Sequence, residues 1–91
     1  MKQFVVTLEF PGGPPDQKVG AAQGVLLDEL YDAGTLVLAG PFVDGRGGMA
    51  VLRCDSLEQV RDIYQDSPLI RSGQATFHVR EWNVVRGSVQ Q

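Results

Sequence analysis

The chain has few residues of the kinds that reinforce a small protein. Among its 91 residues there is one cysteine, Cys54, and one histidine, His78. A single thiol excludes an internal disulfide, and one thiol with one imidazole cannot build the four-ligand cage of a structural zinc site. A domain of this size buries only about 60% of the surface that its unfolded chain exposes, which leaves its stability marginal. Association with a second copy is the remaining way to enlarge the core, so size and composition predict a homodimer.

Long apolar runs and clustered positive charges are also missing. No apolar stretch approaches the roughly 20 residues that a transmembrane helix needs, so no membrane partner is expected. Gln3, Thr7 and Glu9 interrupt the first ten residues, which lack a signal-peptide pattern and predict a cytoplasmic protein with a reduced thiol. Eight basic residues scattered among eleven acidic ones give a net charge of −3. This balance argues against a nucleic-acid partner, because phosphate binding needs clustered Lys and Arg.

Hydrophobic spacing alternates along the chain between the period of a strand and that of a helix. Apolar side chains recur at every second position in half-buried strands and at every third or fourth position in helices. The pattern predicts strand, helix, strand, strand, helix and strand at residues 3–10, 16–33, 35–40, 49–54, 55–64 and 74–85. This order is typical of the ferredoxin-like βαββαβ arrangement, an α+β fold in which two helices cover one face of an antiparallel sheet.

The first predicted helix has an apolar stripe and a glycine at the position of a C-terminal cap. That glycine is Gly34, which follows the last helical position. Two interior glycines, Gly20 and Gly24, each weaken the helix by roughly 1 kcal/mol relative to alanine, and they suggest close packing against a neighbouring backbone. The stripe at helical spacing consists of Val19, Ala22, Leu26, Leu30 and Ala33.

The second predicted helix starts at Asp55, where an acid three residues later completes a pattern like a capping box. Pro68 disfavours helical geometry at Ser67, and the side chains of Asp66 and Ser67 can bond free backbone groups. The segment from Tyr64 to Gly73 is therefore interpreted as a helix stop, with the rim of a site as the alternative. The apolar stripe of this helix consists of Leu57, Val60, Ile63 and Tyr64.

The sheet face that the helices do not cover is left bare in a single chain. Depending on register, it carries Val5, Val37 or its neighbours, and Trp82. A half-apolar sheet face in water favours pairing with a second copy. We therefore expect residues 1–85 to form a single domain that pairs as a homodimer or higher oligomer, with residues 86–91 as a flexible C-terminal tail.

Several segments resemble one family when they are taken in order. They are "LYDAGTLVLAGPF", a glycine-rich turn, "SLEQV", "DSPLIRSG" and "VREW". Together they resemble the YCII (YciI-like) family, over about residues 1–84. The resemblance implies a dimeric α+β barrel, in which two ferredoxin-like sheets pack face to face. It also implies a small pocket near the first helix and the loop after the second helix.

The resemblance further implies where an acid/base pair would lie. Family members typically carry a histidine in the first helix and an aspartate just before the proline loop, and these positions fall here on Gln23 and Ser67. A glutamine cannot transfer a proton near neutral pH, and a serine lacks the charge that holds an imidazole in place. The catalytic candidates are therefore Asp66, one residue before Ser67, and His78. The substrate-binding candidates are Gln23, Ser67 and Arg71.

Structural roles are open as alternatives for these candidates. Asp66 and Ser67 also fit a helix end, and Gln23 and Arg71 also fit an exposed surface. His78 lies in the last strand and also fits an exposed or interfacial position.

Three further side chains with reactive groups fit packing better than chemistry. Cys54 precedes a helix start, which would stabilise a thiolate, but a lone cysteine at a strand end is typically inert. Tyr31 and Tyr64 fall on helix stripes, so we expect them in the core or at an interface.

Two hypotheses for function follow. The first is a pocket protein for a small molecule which, if catalytic, acts as a cofactor-independent lyase, isomerase or cyclase by proton transfer on a small ring or acid. The second is a non-catalytic binding or accessory module that has lost the family's His/Asp pair. A dimeric barrel of the muconolactone-isomerase or monooxygenase type is a weaker third alternative. The sequence has no nucleotide-binding loop, metal-ligand cluster or nucleophile–base pair, so no cofactor and no metal is expected.

Overall fold

The strands and helices follow the predicted order, with a third, short helix inserted before the last strand. The computed structural model describes residues 1–87. The four strands form one antiparallel sheet whose inner face packs against the helices, which confirms the predicted ferredoxin-like α+β fold. The elements are β1 (Lys2–Glu9), α1 (Gln17–Asp32), β2 (Leu36–Pro41), β3 (Gly47–Cys54), α2 (Leu57–Gln65), α3 (Pro68–Arg71) and β4 (Thr76–Glu81).

The first strand of the chain lies in the middle of the sheet. The strand order is β2-β3-β1-β4, and β1 is antiparallel to both of its neighbours. Successive side chains of a strand point to opposite faces, so Phe4 and Val6 are buried beneath the helices while Val5 points to the other side. The core between sheet and helices contains Phe4, Val6, Leu8, Leu52, Val60, Tyr64 and Val79.

The other side of the sheet, which we call the open face, carries no helix among the described residues. Cross-strand partners share a face, so the register places Leu38, Val51 and Val5 in one row across the sheet. An irregularity in β2 turns Leu38, rather than Val37, towards this face. Trp82 lies beside Val5 on the same face. The apolar open face is present as the sequence predicts, and its pairing with a second copy remains a prediction.

The helix α2 begins at Leu57, two residues later than predicted. Ser56 is its N-cap, and the Ser56 hydroxyl accepts a hydrogen bond of 3.2 Å from the backbone N–H of Gln59. The Gln59 side chain reaches back and accepts a hydrogen bond of 3.0 Å from the backbone N–H of Asp55. This reciprocal pair satisfies two amides at the helix start, so Asp55 supplies a donor and not the cap.

Pro68 starts a new helix in addition to following the end of α2. The helix α2 ends at Gln65 with Asp66 as its C-cap, as the helix-stop prediction requires. The helix α3 follows at once, with Ser67 at the N-cap and Pro68 in the first turn, where its fixed φ and missing N–H suit a helix start. Gly73, with a φ of +77°, follows its end. The sequence does not predict α3, because four residues are too few to show a hydrophobic period.

The strand boundaries also differ from the prediction, by one residue in β1 and β2 and by two or more at the start of β3 and at both ends of β4. The strand β3 begins two residues earlier, at Gly47, where a side chain would collide with a backbone carbonyl of β1. This glycine therefore serves the close approach of two strands and not the hairpin turn. The strand β4 ends at Glu81, four residues early, opposite Phe4 of β1. The last backbone hydrogen bond between them joins the Trp82 N–H to the Gln3 carbonyl at 2.9 Å.

Residues 82–87 follow β4 without regular secondary structure, and residues 88–91 of the predicted tail lie outside the described residues. The domain boundary after residue 85 remains a prediction. None of the helices within residues 1–87 combines the length and the hydrophobicity that crossing a bilayer requires. In the same range, no three His, Cys, Asp or Glu side chains lie together in a way that could hold a metal ion.

Candidate functional site

A pocket of ≈ 440 Å³ lies between α1 and the inner face of the sheet, open to solvent on one side. Pockets for small molecules in proteins have volumes of about 300–1,000 Å³ and mostly apolar walls. The wall of this pocket is apolar apart from the side chains of Gln23 and Tyr64. The resemblance predicts a pocket near the first helix, and this pocket lies there.

The helix α1 contributes one wall through residues that face the same side. They are Gly20, Gln23, Gly24 and Leu27, spaced i, i+3, i+4 and i+7. A methyl group added at Gly20 or Gly24 would meet no atom within 4 Å. The predicted close packing of these two glycines against a backbone is therefore wrong. Their missing side chains leave space in the pocket instead.

Small residues also form the opposite wall, which the sheet provides. They are Ala39 and Gly40 of β2 and Gly48 and Ala50 of β3. Two loops complete the wall, the segment before α1 with Pro14 and the β2–β3 hairpin with Gly45. A side chain added at Gly45 would lie 3.2 Å from the Pro14 ring, so the two loops touch.

Gln23 is the most buried residue of α1, with 5% of its surface exposed. Its Oε1 accepts a hydrogen bond of 3.2 Å from the backbone N–H of Leu69 in α3. This N–H belongs to the first turn of α3, whose amides have no partner within their own helix. The Nε2 of Gln23 is shielded from solvent and has no hydrogen-bond partner among residues 1–87. Gln23 therefore lies in the interior at the pocket wall, and not on the helix surface.

Tyr64 of α2 is the second polar side chain of the wall, and it is 1% exposed. Its ring lies 6.0 Å from that of Phe77, centroid to centroid. Burial raises the pKa of Tyr64 to about 12, so its phenol is protonated at neutral pH. The sequence does not single out Tyr64 as a site residue, because a tyrosine on an apolar helix stripe has the same pattern as a core residue.

Ser67 is fully buried, and its hydroxyl donates a hydrogen bond of 2.8 Å to the backbone carbonyl of Tyr64. The same carbonyl, in the last turn of α2, also accepts a hydrogen bond of 3.0 Å from the Ser67 backbone N–H, so the hydroxyl adds a second bond there. Ser67 is not among the residues that line the pocket. In the single chain the Ser67 hydroxyl thus bonds to the end of α2. This is the structural role that the sequence left open as an alternative to substrate binding.

Asp66 and Arg71 pair with each other on the surface. The Arg71 Nη1 lies 2.7 Å from the Asp66 Oδ1, with 68% and 78% of the two side chains exposed. Neither residue lines the pocket. The exposed charges interact mainly across the turn between α2 and α3.

His78 lies on the open face, because its neighbours Phe77 and Val79 turn towards the core. Its partner across the sheet is Thr7 of β1. Asp66 ends α2 on the helix-covered side, so one chain does not bring Asp66 and His78 together. Their predicted acid/base partnership remains a prediction that depends on a second chain.

The stripe of α1 that faces the core differs in part from the predicted one. Ala22 and Ala33 are exposed, whereas Val19, Leu27 and Leu30 pack against the core. The positions 19, 23, 27 and 30 fit a helix as well as the predicted set does, but the polar Gln23 occupies one of them. A polar residue inside an otherwise apolar stripe is the signal that could have identified the buried Gln23.

The pocket wall carries no side chain that transfers protons near neutral pH. Within residues 1–87, its lining includes no Asp, Glu, Lys, Arg or His. Cys54 is buried outside the pocket, and burial raises the pKa of its thiol, with a smaller contribution from Asp55. The pocket of one chain can therefore enclose an apolar molecule and orient it by hydrogen bonds.

Comparisons with known proteins agree with this architecture. The family model of the YCII-related domain matches residues 3–83. The uncharacterized protein YjpA of Bacillus subtilis (strain 168) is 38% identical over 58 residues, which make up 64% of this chain and 68% of that protein.

A solved structure is similar in fold. It is the 5-chloro-2-hydroxyhydroquinone dehydrochlorinase (TftG) from Burkholderia phenoliruptrix AC1100, in complex with 2,5-dihydroxybenzoquinone. The TM-score is 0.70 and the match covers 89% of this chain and 93% of that one, at 15% sequence identity. At this identity the likeness concerns the fold alone. Because the family model spans nearly the whole described chain, the chain belongs to the YCII-related domain family.

Proposed function

We propose that this protein binds a small, largely apolar molecule in the pocket between α1 and the sheet, with Gln23 as its principal polar contact. The observation that carries the proposal is the unpartnered, shielded Nε2 of Gln23, a residue that lines an otherwise apolar pocket. A glutamine held only for stability would occupy both ends of its amide. Here the Oε1 accepts a hydrogen bond from α3, and the Nε2 has no acceptor among residues 1–87.

The unpaired amide of Gln23 destabilises the ligand-free protein. Leaving a buried donor without a partner costs about 1–3 kcal/mol, and native proteins contain few such groups. A ligand oxygen that the Gln23 side chain turns to meet would remove that cost. The space left by Gly20 and Gly24 on α1 is the room that such a ligand needs.

A second candidate function is cofactor-free proton transfer, as in a lyase or isomerase. It is favoured by the name of the structural relative, a dehydrochlorinase whose structure holds a dihydroxybenzoquinone. Asp66 and His78 are its acid/base candidates, with Ser67 and Arg71 beside Gln23 as substrate-binding candidates. This function requires an arrangement of two chains, because Asp66 and His78 lie on opposite sides of one chain.

We propose that two copies pair through the open face and form the α+β barrel. The support is the row of apolar side chains across that face, which a single chain leaves partly in water. Light scattering after size exclusion should give twice the chain mass, and Val5→Asp should reduce it to the mass of one chain. A monomeric wild type would contradict the pairing. The apolar side chains of the face are Val5, Leu38, Met49, Val51 and Trp82.

The binding proposal is tested by two-dimensional ¹H–¹⁵N NMR with a panel of small ketones, phenols and carboxylic acids. The side-chain amide of Gln23 gives its own pair of signals, so the proposed contact is observed directly. We expect the largest shift changes at the Gln23 side chain and at the backbone amides of Gly24 and Leu69. Changes at Asp66 and His78 in place of these would favour proton transfer at a site between chains.

A matched pair of variants separates pocket binding from surface binding. Gly24→Leu places a side chain in the pocket, where an added Cβ meets no neighbour. Ala22→Leu makes a similar change at an exposed position of the same helix that does not line the pocket. Binding should be lost in the first variant and retained in the second. Equal binding by both would refute the pocket as the site.

A further inference from the structure

We infer that the ligand is uncharged and carries a hydrogen-bond-acceptor oxygen, which donors from Gln23 and Tyr64 hold, and that carboxylates and phosphates are excluded. This inference rests on the proposed function and names the chemical class of the ligand. It separates neutral ketones, quinones, lactones and amides from the small organic acids that the sequence leaves open.

The orientation of the Gln23 amide is fixed by its surroundings. The backbone N–H of Leu69 can only donate, so the end of the amide 3.2 Å away must be the oxygen. The NH₂ end is then the one left without a partner, and it offers hydrogen-bond donors only. A ligand that satisfies this end must present an acceptor.

Tyr64 offers a second donor in the same pocket. Within residues 1–87, the hydrogen bonds of Tyr64 to Ser67 involve its backbone carbonyl and not its hydroxyl. Since burial alone raises the pKa of Tyr64 to about 12, the hydroxyl keeps its proton throughout the physiological range. The hydrogen-bond donors among the side chains of the lining residues are thus an amide NH₂ and a phenol O–H.

The absence of charge in the pocket wall decides between neutral and anionic ligands. No lysine, arginine or histidine among residues 1–87 lines the pocket, so an anion would lose its hydration without gaining a cation. Burying an ionised carboxylate without a charged partner is far more costly than burying a neutral carbonyl group. A neutral acceptor keeps the benefit of both donors and avoids that cost.

The test compares three probes of similar shape by NMR titration at pH 7.5: acetophenone, benzoate and ethylbenzene. Acetophenone should shift the signals of Gln23 and Leu69. The affinity of benzoate, measured from the same signals, should be at least about tenfold weaker. Ethylbenzene lacks the acceptor and should bind about fivefold or more weakly than acetophenone.

Tyr64→Phe removes the donor without removing a hydrogen bond of the folded chain, so the variant should fold. Tyr64→Phe should bind acetophenone about fivefold more weakly than the wild type and ethylbenzene with unchanged affinity. Tyr31→Phe, at an exposed position away from the pocket, should leave both affinities unchanged. Benzoate binding at the pocket signals as tightly as acetophenone would overturn the inference and leave the proposed function standing. If none of the three probes moves those signals, the proposed function fails as well.

Discussion

Replacing the two interior glycines of α1 by alanine should stabilise the protein, although both glycines line the pocket. Gly20 and Gly24 lie inside a 16-residue helix, and an added methyl group at either position meets no atom within 4 Å. Alanine is favoured over glycine in a helix interior by about 1 kcal/mol. Each replacement should therefore raise the free energy of unfolding by about 1 kcal/mol, and the double variant by about 2 kcal/mol.

The assay is urea unfolding followed by circular dichroism at 222 nm. The midpoint should rise while the slope m stays constant, since the surface exposed on unfolding hardly changes. In thermal unfolding, a domain of this size should gain about 4–8 °C for each replacement. Gly34→Ala is the matched control, because Gly34 has a φ of +81°, where alanine is strained, and this variant should lose stability.

A neutral or destabilising effect of Gly20→Ala or Gly24→Ala would refute the reasoning. It would mean that the space beside these glycines is filled in solution, by a second chain or by a bound molecule. If the variants are more stable and also bind ligand more weakly, the glycines are kept for the pocket at the expense of helix stability.

Three further predictions concern the contacts that hold the site in place. A hydrogen bond from the Val19 amide and, to a smaller extent, one from Gln74 lower the pKa of Asp16 below its usual value of 3.8. The ionised Asp16 side chain therefore stabilises the fold above pH 3.8, and this contribution is lost as the pH falls through the lowered pKa. Asp16→Asn, which keeps a capping side chain, should flatten the acid limb of a stability–pH curve from urea unfolding; an unchanged limb would contradict this. Ser67→Ala removes the bond to the Tyr64 carbonyl and should cost about 1 kcal/mol in the same assay, whereas no loss would argue against that bond. Asp66→Ala breaks only an exposed ion pair, so it should change stability by less than about 1 kcal/mol and leave ligand affinity unchanged; a large loss of affinity would place Asp66 in the site.

The order of elements and the fold could be predicted from the sequence because the periodic signals are strong and local. The alternation of Phe4, Val6 and Leu8 determines which face of β1 is buried, and Gly34 marks the end of α1. The helix α3 was beyond prediction, because its four residues depend on the preceding turn and on the Gln23 side chain from α1.

The candidate site was predicted less well because it depends on contacts between distant residues. The family resemblance identifies Gln23 as a candidate site residue. Its hydrogen bond to Leu69 joins positions 46 residues apart, and no local sequence pattern predicts such a contact. Tyr64 reaches the pocket only when α2 packs against β3 and β4 of the sheet. The homodimer, the cytoplasmic location and the lack of a cofactor remain predictions.

The central place of β1 in the sheet has a consequence for how the chain is made. β1 is synthesised first, but its partners β3 and β4 are completed only at Cys54 and Glu81. At about 5–20 residues per second, the nascent segment from Phe4 to Phe10 waits roughly 4–14 s for its second neighbour. An apolar, β-prone segment that waits unpaired is a target for aggregation or for a chaperone. Termination of translation before residue 76 should therefore yield insoluble fragments and not a smaller folded protein.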